Sequence, residues 1–384
     1  MDFELNEDQV AFSDMATAFA RSELEPNAAK WDEESFFPVD VIRKAGEMGF
    51  ASLYSPESVG GLGLSRLDSS IIFERLSMGC TSTTAYLTIH NMVTWMVTSF
   101  AKPSVLEKYA ESLISAQALG SYCLTEPNAG SDAASLKTTA KKEGDHYILN
   151  GSKVFISGAG STDVLVVMAR TGGPGARGVS AIVVDAHSDG ISYGRKEDKM
   201  GWNSQPTRMI SFDNVKVPVE NLLSEEGEGF VLAMKGLDGG RINIASCSLG
   251  TAQQALNQAR DYMQERKQFG KQIGDFQGLQ FRLADMATEL LAARQLVRLA
   301  ASKLDLGHKD ATTYCAMAKR FATDVGFKVC DEALQIFGGY GYIKEYPMER
   351  YVRDTRVHRI LEGTNEIMRV IIGRRLLADT DSEF

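Results

Sequence analysis

The chain of 384 residues has no long apolar run: its wholly hydrophobic stretches, such as residues 164–169, stop after a few positions. Nothing in it therefore reads as a membrane-spanning helix. Its five cysteines, Cys80, Cys123, Cys247, Cys315 and Cys330, are odd in number, widely spaced and never arranged as Cys-x-x-Cys. That argues against a disulfide framework or a zinc site and for reduced, mostly buried thiols in a reducing compartment. The five histidines are equally scattered, with no His-Glu-x-x-His and no pair at ligand spacing, so no metal centre is expected. An excess of positive charge is missing too. The net charge of −9 disfavours a general nucleic-acid or anionic-membrane surface. The opening "MDFELNEDQ" is neither a basic segment leading into an apolar one nor an Arg-rich amphipathic one. A cytoplasmic protein is expected, or a mitochondrial-matrix one if the chain is a processed mature form.

What the chain does have is an ordinary globular balance, 44% hydrophobic and 24% charged, and length for two or three domains. The first third reads helical. Asn6 with Gln9 resembles a capping box, Leu5 and Val10 sit where a hydrophobic staple would, and Val10, Ala11, Met15, Ala18 and Phe19 follow helical spacing. The Gly- and Pro-rich stretch 53–65 marks a loop, and apolar helical segments resume at 71–76 and 85–100. Short β-branched runs bounded by Gly, Asp, Asn and Ser then take over, and Asn150-Gly151 is a favoured two-residue hairpin turn. From Leu279 to Leu304 apolar residues recur in alternating steps of four and three, the seam of a bundled helix that Gly307 ends. A further helix spans about 309–337 and stops at Gly338-Gly339. The expected fold is α+β and multidomain: a helical domain over 1–120, a β domain over 121–228 and a four-helix bundle over 229–384.

One glycine motif is a decoy. Gly173, Gly175 and Gly178 satisfy Gly-x-Gly-x-x-Gly after an apparent strand, but "VSAIVVD" follows them where a dinucleotide fingerprint needs a helix. They read as a hairpin loop. Other stretches carry two readings each. "YCLTEPNAGSD" (122–132) offers hydroxyls and free backbone N–H groups, or is a domain-boundary loop. "VFISGAG" (154–160) puts an aromatic and a hydroxyl at a strand end, which suits a flavin, although Phe155 alone also suits a core. "GLDGGRINIA" (236–245) holds adjacent glycines in a helical stretch, each costing about 1 kcal/mol. That is tolerated where something must approach the backbone closely. Arg241 beside them holds a polar ligand or a surface ion pair. "ERKQFGKQIGDFQ" suits a pyrophosphate or is a basic helix end, and "QIFGGYGY" meets a phosphate or is a C-cap.

The most pointed stretch is "RILEGTNEIM" (359–368), which sets Glu362 among large aliphatic residues and a Gly-Thr pair. A carboxylate there is either solvated at a helix edge or held dry, and only a dry one would have its pKa raised toward working pH for proton abstraction.

Taken together and in this order, "YCLTEPNAGSD", "FISGAG", "ERKQFGK", "QIFGGYGY" and "ILEGTNEI" resemble the flavin-dependent acyl-CoA dehydrogenases over essentially the whole chain. "GLDGGRINIASCSLG" and "LEGTNEIMRVIIGR" look most like the short branched-chain members. The resemblance implies FAD as cofactor and an acyl-CoA substrate, isobutyryl-like, dehydrogenated between Cα and Cβ. It makes Glu362 the base, aided by its own backbone N–H and a cofactor hydroxyl at the thioester oxygen. Gly240 stands where some relatives carry the base instead. FAD contacts carry over to Leu124, Thr125, Ser131, Phe155, Ile156 and Ser157, and to Thr364 and Glu366. Arg266, Phe269, Gln335, Gly338 and Gly339 resemble the set that reaches the cofactor of a neighbouring subunit. Ser131, Asp238, Arg241 and Gly363 fall on the substrate side. An electron-transferring flavoprotein is the implied acceptor, and a homotetramer built as a dimer of dimers the implied assembly. An acyl-CoA oxidase or monooxygenase-like flavoenzyme on the same fold is the rival reading. A non-enzymatic helical scaffold would instead be colourless when purified.

Overall fold

The computed structural model describes residues 4–378. The outer ends of the first and last expected segments, 1–3 and 379–384, lie outside the described residues. The chain opens with helices α1 (Glu7–Phe19), α2 (Ala28–Glu34), α3 (Val39–Glu47), α4 (Arg66–Gly79), α5 (Thr81–Phe100) and α6 (Pro103–Ile114). The strands follow: β1 (Gly120–Cys123), β2 (Thr139–Glu143), β3 (His146–Ser157), β4 (Val164–Arg170), β5 (Val179–Asp185), β6 (Ile191–Tyr193), β7 (Thr207–Pro218) and β8 (Leu222–Leu223). Helix returns as α7 (Gly229–Glu265), α8 (Gln277–Asp305), α9 (Ala311–Phe337), α10 (Met348–Arg356) and α11 (Asn365–Ala378). Between α7 and α8 sits a two-residue hairpin pair, Lys267–Gln268 with Lys271–Gln272. The expected plan of helices, sheet and bundle is what the chain adopts.

Local signals explain most starts and stops. At α1 the Asn6 side chain accepts from the Gln9 N–H at 2.8 Å, and the Gln9 side chain accepts from the Asn6 N–H at 3.2 Å, which closes the capping box. The buried face of α1 is not the expected stripe. Val10, Ala11 and Ala18 are exposed, and Gln9, Ser13, Ala16 and Phe19 turn inward. Two polar contacts set that rotation: Gln9 Nε2 donates to Asp68 Oδ1 at 2.9 Å, and Arg75 Nε donates to Ser13 Oγ at 2.9 Å. With Val10 turned to solvent, no staple to Leu5 is needed.

The strands form one sheet in the order β6-β7-β3-β2-β4-β5-β8, with β1 added parallel to β4. Asn150-Gly151 does not turn the chain. Both residues lie inside β3, and the two-residue hairpin is Gly144-Asp145, between paired Glu143 and His146. The glycine at 151 serves close approach: a methyl there would lie 2.6 Å from Thr138 Oγ1. Opposite it, β7 carries an irregularity at Asn214, whose N–H donates to Asn150 Oδ1 at 2.9 Å. The dipeptide thus faces a bulge and not a loop. Residues 171–178 do connect β4 to β5 as a hairpin. β4 is buried on both faces. Val164, Val166 and Met168 pack towards α5, α6 and the start of α7, while Leu165, Val167 and Ala169 pack into the other side of the sheet, the two-residue period of a strand.

α7 is the spine. It packs along α9, α8 and α4, and its small residues let neighbours close in. A methyl on Gly250 would sit 1.9 Å from the Glu74 carbonyl oxygen of α4. Arg294 of α8 locks the same junction, donating to Glu74 at 2.8 Å and Gln253 at 2.7 Å. Gly250→Ala should therefore lower stability in urea unfolding by about 1–3 kcal/mol through overpacking. Gly278→Ala, where nothing lies within 4 Å of the added methyl, should be neutral or gain up to about 1 kcal/mol. Equal effects at the two positions would refute close α4–α7 packing.

Candidate active site

After α10 a short 3-10 turn, Val357–Arg359, leads into the stretch that carries Glu362. Glu362 and Gly363 both have left-handed backbones, φ 55° and 89°, and Thr364 then caps α11, its Oγ1 accepting from Ile367 N–H at 3.3 Å. A left-handed glutamate costs on the order of 1–2 kcal/mol and persists only where neighbours hold it. Two cationic side chains do so. Arg241 Nε reaches the Glu362 carbonyl at 3.4 Å, and Lys319 Nζ donates to the Gly363 carbonyl at 2.7 Å.

This turn lays the carboxylate on bare helix. Oε2 of Glu362 is fully buried and has no hydrogen-bond partner among the described residues, and a methyl added to Gly240 would stand 2.4 Å from it. At Gly239 the same methyl would stand 2.4 Å from Arg66 Nη1. The double glycine of α7 thus admits a carboxylate and a guanidinium. Burial pushes the Glu362 carboxyl up to about 7, against the opposing pull of Arg241 and Lys319. The dry alternative is the one the chain adopts.

Arg241 and Asp238 are both buried. Arg241 Nη1 donates to Asp238 Oδ1 at 2.6 Å, and Thr312 donates to the other oxygen at 2.7 Å. Their polar atoms are thus engaged with each other, with Thr312 and with the Glu362 turn. Thr364 and Gly363 are half-buried and Glu366 exposed, at the start of α11.

Leu124, Thr125 and Ser131 follow β1, and Phe155, Ile156 and Ser157 end β3. These two segments adjoin, because Val154 N–H donates to the Thr125 carbonyl at 2.9 Å. A buried pair fixes the first loop: Glu126 accepts from Lys153 Nζ at 2.7 Å and from the N–H groups of Lys137 and Thr138 at 2.6 and 2.9 Å. Lys153 also donates to the Leu124 carbonyl at 3.0 Å. The β3–β7 register slips between Lys153 and Ile156, and the bulged Phe155, at φ 58°, turns its ring out to 68% exposure while Ile156 stays in the core. Tyr122, two residues before Leu124, feels the charge of Glu362, though burial is the larger reason its phenol is held well above the usual range. The loop and the Glu362 carboxylate are therefore neighbours.

Arg266, Gln335, Gly338 and Gly339 gather elsewhere. They meet at the far end of α7 and α9, where Arg266, Gly338 and Gly339 line a groove of about 450 Å³ with Tyr262, Phe337 and Tyr340. Phe269, beside it, is 92% exposed. Arg241 lies within α7 and Arg266 is the residue that caps its end, about 38 Å away at 1.5 Å per residue.

Five residues near Glu362 escape motif reading. Tyr54 and Arg66 stack, guanidinium carbon 3.4 Å from the ring centroid; Asn243 donates to the Tyr54 hydroxyl at 3.2 Å; Tyr122 and Lys319 complete the set. Lys319 did leave a trace, as a lysine on a helix face otherwise made of Cys315, Ala318 and Ala322.

No helix among the described residues is long and apolar enough to cross a membrane. The chain matches the family models described as acyl-CoA dehydrogenase N-terminal domain over residues 6–117, middle domain over 121–215 and C-terminal domain over 227–377. Mitochondrial isobutyryl-CoA dehydrogenase of Bos taurus is 54% identical over 98% of this chain and 90% of that protein. Butyryl-CoA dehydrogenase of Megasphaera elsdenii superposes with a TM-score of 0.95 at 40% identity, covering 98% of this chain and all of that one. A chain in a structure titled for the electron transferring flavoprotein of Acidaminococcus fermentans gives a TM-score of 0.96 at 43% identity, covering 99% of this chain and 100% of that one.

A carboxyl whose pKa is raised by folding costs stability once it ionises. Its favourable, protonated form is kept below the unfolded value of 4.5 and is lost as pH rises through about 7. Glu362→Gln should hence melt higher than the wild-type apoprotein at pH 8, with the gap closing by pH 5. A gap that is constant with pH would show that the carboxylate is solvated.

Proposed function

The chain belongs to the acyl-CoA dehydrogenase family of FAD-dependent oxidoreductases, and we propose that it dehydrogenates a short branched acyl-CoA, isobutyryl-CoA or a close analogue, with Glu362 as the base. The observation that carries this is the unpartnered, dry Oε2 on Gly240. The identity to the bovine isobutyryl enzyme supports the acyl group.

The residues present fit FAD. Phe155 offers an exposed ring on a strand bulge, beside the hydroxyls of Thr125 and Ser157, and Tyr122 has a buried hydroxyl without a partner among the described residues. Leu124, Thr125, Ser131, Phe155, Ile156, Ser157, Thr364 and Glu366 would hold one end of it. Arg266, Phe269, Gln335, Gly338 and Gly339 would hold the other end of the cofactor belonging to a second copy, in a homotetramer. When bound, FAD supplies the acceptor for the hydride that leaves Cβ.

The chain's own residues do the rest. Glu362 takes the proton from Cα onto its carboxylate, for which a pKa near working pH is suited. Gly240 and Leu361 keep water from it. The Glu362 N–H makes no hydrogen bond to the protein among the described residues, so it is free to donate to the thioester oxygen as negative charge grows there. Gly363, Ser131, Asp238 and Arg241 frame the substrate side. Asp238 and Arg241 act as a linked pair that holds the pocket wall and the base turn. Electrons then leave to an electron-transferring flavoprotein, a reading supported by the likeness to the Acidaminococcus structure.

Glu362→Gln should retain FAD but should not be bleached by substrate under anaerobic conditions; normal bleaching would remove Glu362 from the role. Across isobutyryl-, butyryl- and octanoyl-CoA, the highest kcat/KM should go to isobutyryl-CoA, and a clear preference for octanoyl-CoA would refute the acyl assignment. Slow reaction of the substrate-reduced enzyme with oxygen is expected, whereas rapid reoxidation would make it an oxidase. Arg266→Ala should chiefly weaken cofactor retention, read as FAD lost on gel filtration, and an unchanged FAD affinity would exclude that contact.

A further inference from the structure

Lys319 sits on α9 with no exposed surface. Its ammonium donates to two neutral oxygens, the Gly363 carbonyl at 2.7 Å and Asn365 Oδ1 at 3.0 Å. Gly363 is one peptide beyond Glu362. Asn365 is itself fixed to α9, its Nδ2 donating to Thr323 Oγ1 and Asp324 Oδ1, both at 3.0 Å. A lysine in a dry place without a carboxylate among its hydrogen-bond acceptors is costly unless its charge serves something. What it faces is the base turn. The charges felt at Lys319 are Glu362 from the turn, Arg241 from α7, Asp324 from α9 and Glu366 from α11, and His358 of the preceding 3-10 turn feels Lys319 in return but is held neutral, chiefly by burial, with its pKa down to about 3. Those felt at Glu362 are Arg241 and Lys319. Tyr54 and Tyr122 stand near enough to sense its charge, and Arg66 lies over Tyr54.

We propose that Lys319 is a positioning residue for the base: it pins the left-handed Glu362–Gly363 turn by its carbonyl and side-chain acceptors, and its charge favours the ionised carboxylate that accepts the proton. Arg241 grips the turn from one side and Lys319 from the other, so the carboxylate is held between two helices by contacts to its backbone. That leaves the carboxylate oxygens free for chemistry. Burial pushes the Lys319 ammonium down to about 7, with Glu362 resisting and Arg241 adding to the fall. Ammonium and carboxylate thus each support the other's charged form in a place where desolvation opposes both. The proposal rests on Glu362 being the base.

The test uses FAD-loaded wild type, Lys319→Gln, Lys319→Met and Asn365→Ala, following anaerobic flavin bleaching by isobutyryl-CoA across the neutral pH range. Losing a neighbouring cation disfavours the anion, so the rising limb of the rate profile should move to higher pH in both lysine variants. Each pH unit of movement costs about tenfold in rate below the midpoint. Asn365→Ala loosens the turn and keeps the charge, so its rate should fall alike at every pH with the midpoint in place. In the apoprotein, amide hydrogen exchange over residues 361–364 should speed up in Lys319→Met. An unmoved midpoint in the lysine variants overturns the proposal whatever the rate does, and so does an equal shift in Asn365→Ala. Should Lys319→Met fail to yield holoenzyme, Lys319→Gln, which is one atom shorter but keeps a donor without the charge, decides alone. Normal bleaching by Glu362→Gln would sink the base assignment instead, so the two failures are told apart.

Discussion

One carboxylate taken out of water onto bare helix is the constraint from which the rest of the site follows. Glu362 Oε2 has no protein partner among the described residues and lies where a side chain on Gly240 would be. Such a group survives because its surroundings compensate elsewhere. A left-handed turn aims it, two cations hold the turn by backbone oxygens, and its pKa settles near 7. Had Arg241 or Lys319 bonded the carboxylate directly, its pKa would fall and its oxygens would be occupied. By contacting carbonyls they supply field and position without taking the lone pairs.

The same economy of placement governs the end of β3 and the loop after β1. Phe155 would be buried if β3 ran regularly, but one extra residue in its pairing with β7 turns the ring outward and leaves Ile156 packed. The neighbouring loop is held by Glu126 and Lys153, a pair with almost no exposure, so its irregular backbone does not need a ligand to stay in shape. Rigid parts thus flank the exposed ring and the buried carboxylate alike.

Much of this could be read from the residues. Periodicity separated helices from strands, and the cap at Asn6 formed as its spacing required. The odd setting of Glu362 and the paired glycines of α7 both pointed to something held close. What approached those glycines could not be read, because Arg66 and Glu362 arrive from segments far apart in the chain. Asn150-Gly151 misled because the dipeptide that closes a hairpin also suits a tight crossing beside a bulge. The inward face of α1 was missed for a related reason: Gln9 and Ser13 are polar, and only their partners on α4 make them core. Lys319 was invisible as a functional residue, since a lysine among alanines on a helix is ordinary until the opposite turn is in place.

The empty position at Gly240 has a further consequence for descent. A methyl there already overlaps the Glu362 carboxylate, so two opposite walls compete for a single berth, and only one can furnish it. Moving the carboxylate from the loop to the helix takes two coordinated changes. Either change alone leaves the chamber overcrowded or vacant, so no single substitution carries the carboxylate from one wall to the other.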